Sequence, residues 1–214
     1  MYTTVSEHQV DIFQEPARLI FAGCSGSGKS YLLSKLVQKY SHKFDRIILV
    51  GANLENLDGI NIVRDDTFDP FSDDALAPFS KHSLVLYDDV MLDKRHLFNC
   101  NKLFTQGRHG IGKTESFSTA VLVQNVYHND KNYRNLSLNA THVFLFKNRD
   151  LRQIQIFGAS FLMKNSVSNF IDLYNTVLAK RYSYLLVDFT KHISDVLALR
   201  GSVAGESREI AYKL

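Results

Sequence analysis

Cysteine is scarce in this chain. Two residues, Cys24 and Cys100, occur among 214, and Cys24 falls in a glycine-rich loop that a disulfide would obstruct. A reducing, intracellular setting is therefore expected. Long apolar runs are also missing, and none approaches the length needed to span a membrane. The segment Met1–Glu7 lacks the basic and apolar parts of a secretion signal. Eight histidines are scattered without metal-ligand spacing, which excludes a zinc site of the usual kind. Repeats and low-complexity tracts are absent. A large excess of one sign of charge is missing too, with 25 Lys and Arg against 22 Asp and Glu. A net +3 permits nucleic-acid binding without arguing for it, because a basic patch depends on how the charge is distributed.

Apolar and charged fractions of 45% and 22% are ordinary for a soluble protein. A chain of this length can bury a full core and is expected to form one domain over residues 1–189. The remaining 190–214 carry Gly201, Gly205 and several serines, and read as a weakly ordered or partner-binding tail.

The most informative stretch is Gly23-Cys24-Ser25-Gly26-Ser27-Gly28-Lys29-Ser30. It fits the phosphate-binding loop G-x-x-x-x-G-K-[ST] at every fixed position. Glycines let the backbone curl so that several N–H groups face phosphate oxygens. Lys29 can reach the β- and γ-phosphates, and the Ser30 hydroxyl can ligate Mg²⁺. The context agrees. Leu19–Ala22 before the loop reads as a buried strand, and Leu32, Leu33, Leu36, Val37 and Tyr40 after it share one helical face. A second match, Gly107–Thr114, has the wrong context: it follows an amphipathic helix and precedes a β-rich run, so it reads as a helix-to-strand loop.

Further apolar runs are Arg46–Val50, Ser83–Tyr87, Thr119–Val123, His142–Phe146 and Tyr182–Phe189, with a short edge strand within Gly59–Val63. A short strand at Val10–Phe13, and helices over Asp73–Phe79, Lys94–Gln106 and Asp130–Leu138, complete the reading; beyond them one or two further helices follow, the clearer carrying Phe170–Leu178. Apolar strands separated by helical stretches predict an α/β fold: a central, mostly parallel sheet flanked by helices on both faces.

Ligands in open α/β sheets collect at the C-terminal ends of the strands. Two strands there end in polar residues. The run Leu84–Tyr87 stops at Asp88-Asp89, where Asp88 can hold Mg²⁺ and Asp89 can orient or deprotonate an attacking water. Two aspartates can equally end a strand and open a turn. The run Val121–Val123 stops at Gln124, which is either a sensor of the γ-phosphate or an ordinary strand end. The pair favours an NTPase with an extra strand between the loop strand and the Asp-Asp strand. No arginine-dense lid of the kind found in simple nucleotide kinases is present, and no Asn-Lys-x-Asp motif for reading guanine, which leans towards ATP.

Several segments in order resemble viral genome-packaging ATPases of the FtsK/HerA superfamily, the poxvirus-type enzymes of large DNA viruses, virophages and Polinton-like elements. They are Gly23–Ser30, Leu84–Val90, Leu103–His109, Val121–Asn125 and Arg134–Lys147, and the resemblance covers roughly residues 15–150. It implies a RecA-like fold and a homo-oligomeric ring that hydrolyses ATP with Mg²⁺ and drives double-stranded DNA into a preformed capsid. Partners would be the DNA and capsid or portal-vertex proteins, in the host cytoplasm or nucleus during virion assembly. Lys29 and Ser30 would be phosphate and Mg²⁺ contacts, Asp88 a metal ligand, Asp89 the catalytic acid and Gln124 the sensor. Such rings use an arginine from a neighbouring subunit, here Arg134 or Arg108. Bacterial relatives carry an arginine before the fifth strand, where this chain has His142. DNA contact would fall to pore-facing loops, with Lys94, Arg95, Lys113 and Lys131 as candidates by charge. On the residues alone, a P-loop kinase or helper NTPase, and a nucleotide-binding assembly protein with weak hydrolysis, remain alternatives.

Overall fold

The apolar runs of the sequence become the strands of one sheet, because covering both faces buries both sides of each strand. A computed structural model of the chain describes residues 3–8, 12–13, 16–51, 57, 60–70, 81–88, 93–109, 111, 114–127, 131–162, 166–191, 198–204, 206 and 209–213. In chain order the elements are β1 (Thr3–His8), β2 (Arg18–Ala22), α1 (Lys29–Tyr40), β3 (Arg46–Val50), β4 (Ile62–Arg64), β5 (His82–Asp88), α2 (Lys94–Gln106), β6 (Ser116–Val123), α3 (Lys131–Asn139), β7 (His142–Leu145), α4 (Leu151–Phe161), α5 (Val167–Val177), β8 (Ser183–Asp188), β9 (Leu199–Val203) and β10 (Glu209–Lys213).

The ten strands lie in the order β1-β10-β9-β8-β7-β2-β6-β5-β3-β4. From β4 to β7 every pairing is parallel. From β7 to β1 every pairing is antiparallel. Successive side chains of a strand point to opposite faces, and the core divides accordingly. Leu19 and Phe21 of β2 face α1, packing with Leu32, Leu33 and Val37. Ile20 and Ala22 face the other way, into a layer built by Leu97 and Phe104 of α2, Leu136 of α3, Phe157 of α4 and Phe170 of α5. Asp93 starts α2 by accepting from the backbone N–H groups of Arg95 at 2.7 Å and His96 at 3.2 Å.

Two expectations are corrected. The early strand lies at Thr3–His8, not at Val10–Phe13. Ile12 and Phe13 are buried in a turn, and the Phe13 ring meets Tyr40 and Phe44 edge-on, so these residues pack onto α1 rather than into the sheet; Val10 lies outside the described residues. The second correction concerns the last 25 residues. Among the described ones, β9 and β10 join the sheet and β10 pairs with β1, where a weakly ordered stretch is expected. Gly201 is a packing residue there: a Cβ would stand 2.7 Å from Val177 Cγ1. Arg200 is fully buried yet paired with Asp188 and Glu209, so a charged side chain occupies a core position. The helix expected at Asp73–Phe79 lies outside the described residues.

Candidate nucleotide site

Strand β2 delivers the glycine-rich loop to the C-terminal edge of the parallel strands, and α1 leaves from it. The loop is held from both sides. Gly23 N–H donates to Val123 O at the end of β6, at 3.2 Å, and Cys24 N–H donates to Lys147 O just past β7, at 3.0 Å. The segment after β7 is itself pinned by Tyr174, whose hydroxyl donates to Phe146 O and accepts from Asn148 N–H, both at 2.9 Å. Burial pushes that phenol up to about 12, so it stays protonated and able to donate. Two glycines are demanded by geometry. A Cβ on Gly23 would lie 2.6 Å from Phe146 Cβ, and Gly28 caps α1 with a left-handed φ of 104°.

Lys29 Nζ turns back into the loop and donates to the carbonyls of Gly23 at 2.7 Å and Cys24 at 3.0 Å. Around it lies a cavity of about 830 Å³ lined by Ser25, Gly26, Ser27, Gly28, Lys29, Ser30, Tyr31, Asp88, Leu122, Val123, Gln124, Tyr182 and Ala204. The structure thus brings the loop, Asp88 and Gln124 together. Pairing explains how: β6 lies between β2 and β5, Ala22 stands opposite Val123, and Asp88 stands opposite Leu122. Asp89 lies outside the described residues. The donor set is one ammonium, three serine hydroxyls and a half-buried carboxylate, a composition suited to a polyphosphate with a hard divalent cation. Ser27 adds a specific mark of fit, because its Oγ is buried without a hydrogen-bond partner among the described residues.

Neither arginine candidate lines the cavity, but the two are placed differently. Arg134 is exposed on α3. Its neighbour Tyr133 donates its hydroxyl to the Asn125 carbonyl, which sets this part of α3 beside the strand end bearing Gln124. Arg108 sits at the other edge of the sheet. Gly107 packs on Phe117 near the start of β6, and the pKa of Arg18, at the start of β2, is lowered by burial and by the charge of Arg108. His142 is buried and lies 3.5 Å from the Asp188 carboxylate, so it is a core residue. In the second loop match, Gly107–His109 is a turn of 3₁₀ helix and Ile111 bridges Thr114, with no helix following. Lys94, Arg95 and Lys131 are exposed, and Lys113 lies outside the described residues.

Sequence reasoning missed Tyr31, Tyr182 and Ala204 as lining residues. Tyr31 directly follows the loop and could have been found from the helix that the motif opens. Tyr182 and Ala204 carry no local signal; they reach the cavity only because β8 and β9 run antiparallel to the strands beside them. Among the described residues, no helix is long and apolar enough to cross a membrane, and no group of three or more His, Cys, Asp or Glu could hold a metal ion.

A strand, a glycine-rich phosphate loop and a helix, with one strand inserted before the acidic strand end, define the P-loop NTPase fold. The fold is similar to that of the genome packaging NTPase B204 from Sulfolobus turreted icosahedral virus 2. With its complex with AMP the TM-score is 0.54 at 14% identity, covering 81% of this chain and 93% of that one. With its ATP-gammaS complex the values are 0.51 and 15%, covering 81% and 92%. With its AMPPCP complex they are 0.52 and 16%, covering 82% and 93%. At such identity the likeness is one of fold. No family model and no curated protein matches the chain.

Proposed function

We propose that this chain is an ATP-hydrolysing motor of the FtsK/HerA type that packages double-stranded viral DNA into a preformed capsid as a homo-oligomeric ring. The observation that carries the reading is the convergence of the phosphate loop, Asp88 and Gln124 on one cavity from three adjacent strands. The fold's likeness to a genome packaging NTPase seen with AMP, ATP-gammaS and AMPPCP supports both the nucleotide and the packaging role.

In this reading the N–H groups of Gly23–Ser30 cradle the phosphates, and the positive end of α1 adds to their field. Lys29 leaves the carbonyls of Gly23 and Cys24 for the β- and γ-phosphate oxygens. Ser30 and Asp88 are the residues that would hold Mg²⁺, which when bound neutralises charge on those oxygens. Gln124 and Asp89 orient a water whose oxygen bonds to the γ-phosphorus as the bond to the β–γ bridging oxygen breaks. Asp89 takes the water's proton, and ADP and inorganic phosphate result. Arg134, exposed near the Gln124 strand end, is the arginine we assign to the neighbouring subunit's site.

ATP hydrolysis measured with and without double-stranded DNA, at protein concentrations that allow rings to form, tests the proposal. Strong stimulation by DNA is expected. Turnover indifferent to DNA, with phosphate passed to a small acceptor, would overturn it in favour of a kinase.

A further inference from the structure

The cavity has two flanks, and only one carries chemistry for the triphosphate. In the strand order the loop strand β2 stands between β6 and β5, which bring Gln124 and Asp88, and β7 and β8 on the other side. That second flank presents Tyr182 and Ala204. Tyr182 immediately precedes β8, and because β8 runs antiparallel to β7 its start lies at the same edge as the phosphate loop.

Tyr182 is held there at a cost. Its φ of 61° is the one left-handed value found for a non-glycine residue among the described ones, and bulky residues avoid that conformation. Neighbouring structure enforces it. Tyr182 O accepts from Ala204 N–H at 2.8 Å. The ring lies against Gly28, where an added Cβ would be 3.4 Å from Tyr182 Cδ1. The Arg181 guanidinium sits 4.7 Å from the ring centroid. Even so, the residue is 42% exposed. A large aromatic that is strained, braced against the phosphate loop and open to the cavity is placed for a ligand rather than for the core.

We propose that Tyr182 is the platform on which the nucleotide base stacks, so that the triphosphate runs from the β8 flank across the loop towards Gln124 and Asp88. This rests on the reading of the cavity as a nucleoside-triphosphate site. It makes Tyr182 a determinant of nucleotide affinity while leaving the phosphate chemistry to the loop, and it assigns the C-terminal antiparallel strands a part in the site. Stacking tolerates any base, so Tyr182 gives affinity without selecting adenine over guanine.

The test compares ATP with inorganic tripolyphosphate, both with Mg²⁺, on the full-length chain and on Tyr182→Ala, Tyr182→Gly and Tyr182→Phe. Glycine accepts the left-handed backbone, so Tyr182→Gly removes the ring without strain and guards against a folding defect. Tyr182→Ala and Tyr182→Gly are expected to weaken ATP roughly 5- to 150-fold and to leave tripolyphosphate within about twofold, the range that loss of one aromatic stacking partner gives. Tyr182→Phe should bind ATP as the unaltered chain does. Unchanged ATP affinity in Tyr182→Gly, or equal losses for ATP and tripolyphosphate, would overturn the proposal while leaving the phosphate site intact. If the unaltered chain binds neither probe, the reading of the cavity itself falls, and the platform with it.

Discussion

Replacing Arg200 by methionine tests whether the C-terminal strands are an integral part of the sheet. The Arg200 side chain is fully buried, with Nη2 3.3 Å from Asp188 Oδ2 and Nε 3.0 Å from Glu209 Oε2. It therefore ties β9 to β8 and β10 through charge as well as through backbone pairing. Methionine keeps much of the stem and removes the cation, leaving Asp188 and Glu209 with less compensation. Removing one partner of a buried pair costs about 3–5 kcal/mol, a large part of the roughly 5–15 kcal/mol that holds a typical domain folded. For a chain of this size that corresponds to a melting midpoint lower by roughly 6–20 °C. The pH dependence gives a second readout. Burial raises the Asp188 carboxyl, but its bond to His142, the His142 charge, its bond to Thr190 and the Arg200 charge outweigh this and hold it at about 2, below the ordinary 3.8. A folded-state value below the unfolded one contributes stability that is present above the unfolded value and is lost as pH falls towards the folded one. Arg200→Met removes one of the lowering influences and brings the folded value closer to the unfolded one, so the variant, though less stable at neutral pH, should lose less stability as pH falls from 3.8 towards about 2. Thermal and acid unfolding followed by circular dichroism would show both effects. A midpoint within about 2 °C of the unaltered chain, far short of the shift expected for a broken buried pair, together with an acid limb of unchanged steepness, would refute the docking of β9 and β10.

Three further outcomes are expected. Lys29→Ala should lower ATP turnover by on the order of 10²–10³ while the melting midpoint barely moves, since loss of one preorganised cationic donor falls in that range; steady-state phosphate release measures it. Gly23→Ala forces a Cβ to 2.6 Å from Phe146 Cβ and should cost about 1–3 kcal/mol of stability by overpacking, with weaker nucleotide binding. Wild-type melting and ATP affinity in that variant would contradict the loop geometry. Arg134→Ala should reduce turnover by on the order of 10³ or more if the arginine acts across an interface, and mixing it with Asp89→Ala subunits should restore part of the activity. No recovery at any mixing ratio would remove Arg134 from that role.

The sequence by itself determined the parts of this protein that are written in contiguous residues. The loop Gly23–Ser30 is a local device, since its glycines, lysine and serine act within one turn of chain, and the strand and helix on either side are legible from periodicity. The parallel strands are legible because burial on both faces requires unbroken apolar runs such as Leu84–Tyr87. Even the insertion of β6 between β2 and β5 could be anticipated, from two strands ending in polar residues. The run that forms β8 was legible too, but the tertiary structure alone decided that it runs antiparallel to β7 and that β9 and β10 follow it into the sheet. β9 contains Arg200, Gly201 and Ser202, a composition that reads as loop, because its apolar partners and counter-charges come from α5, β8 and β10 and not from its own neighbours in sequence. For the same reason Tyr182 and Ala204 gave no sign of belonging to the site. Antiparallel pairing reverses the chain, so the start of β8 and the end of β9 return to the edge where the phosphate loop lies. Only the folded sheet brings these distant residues to one cavity.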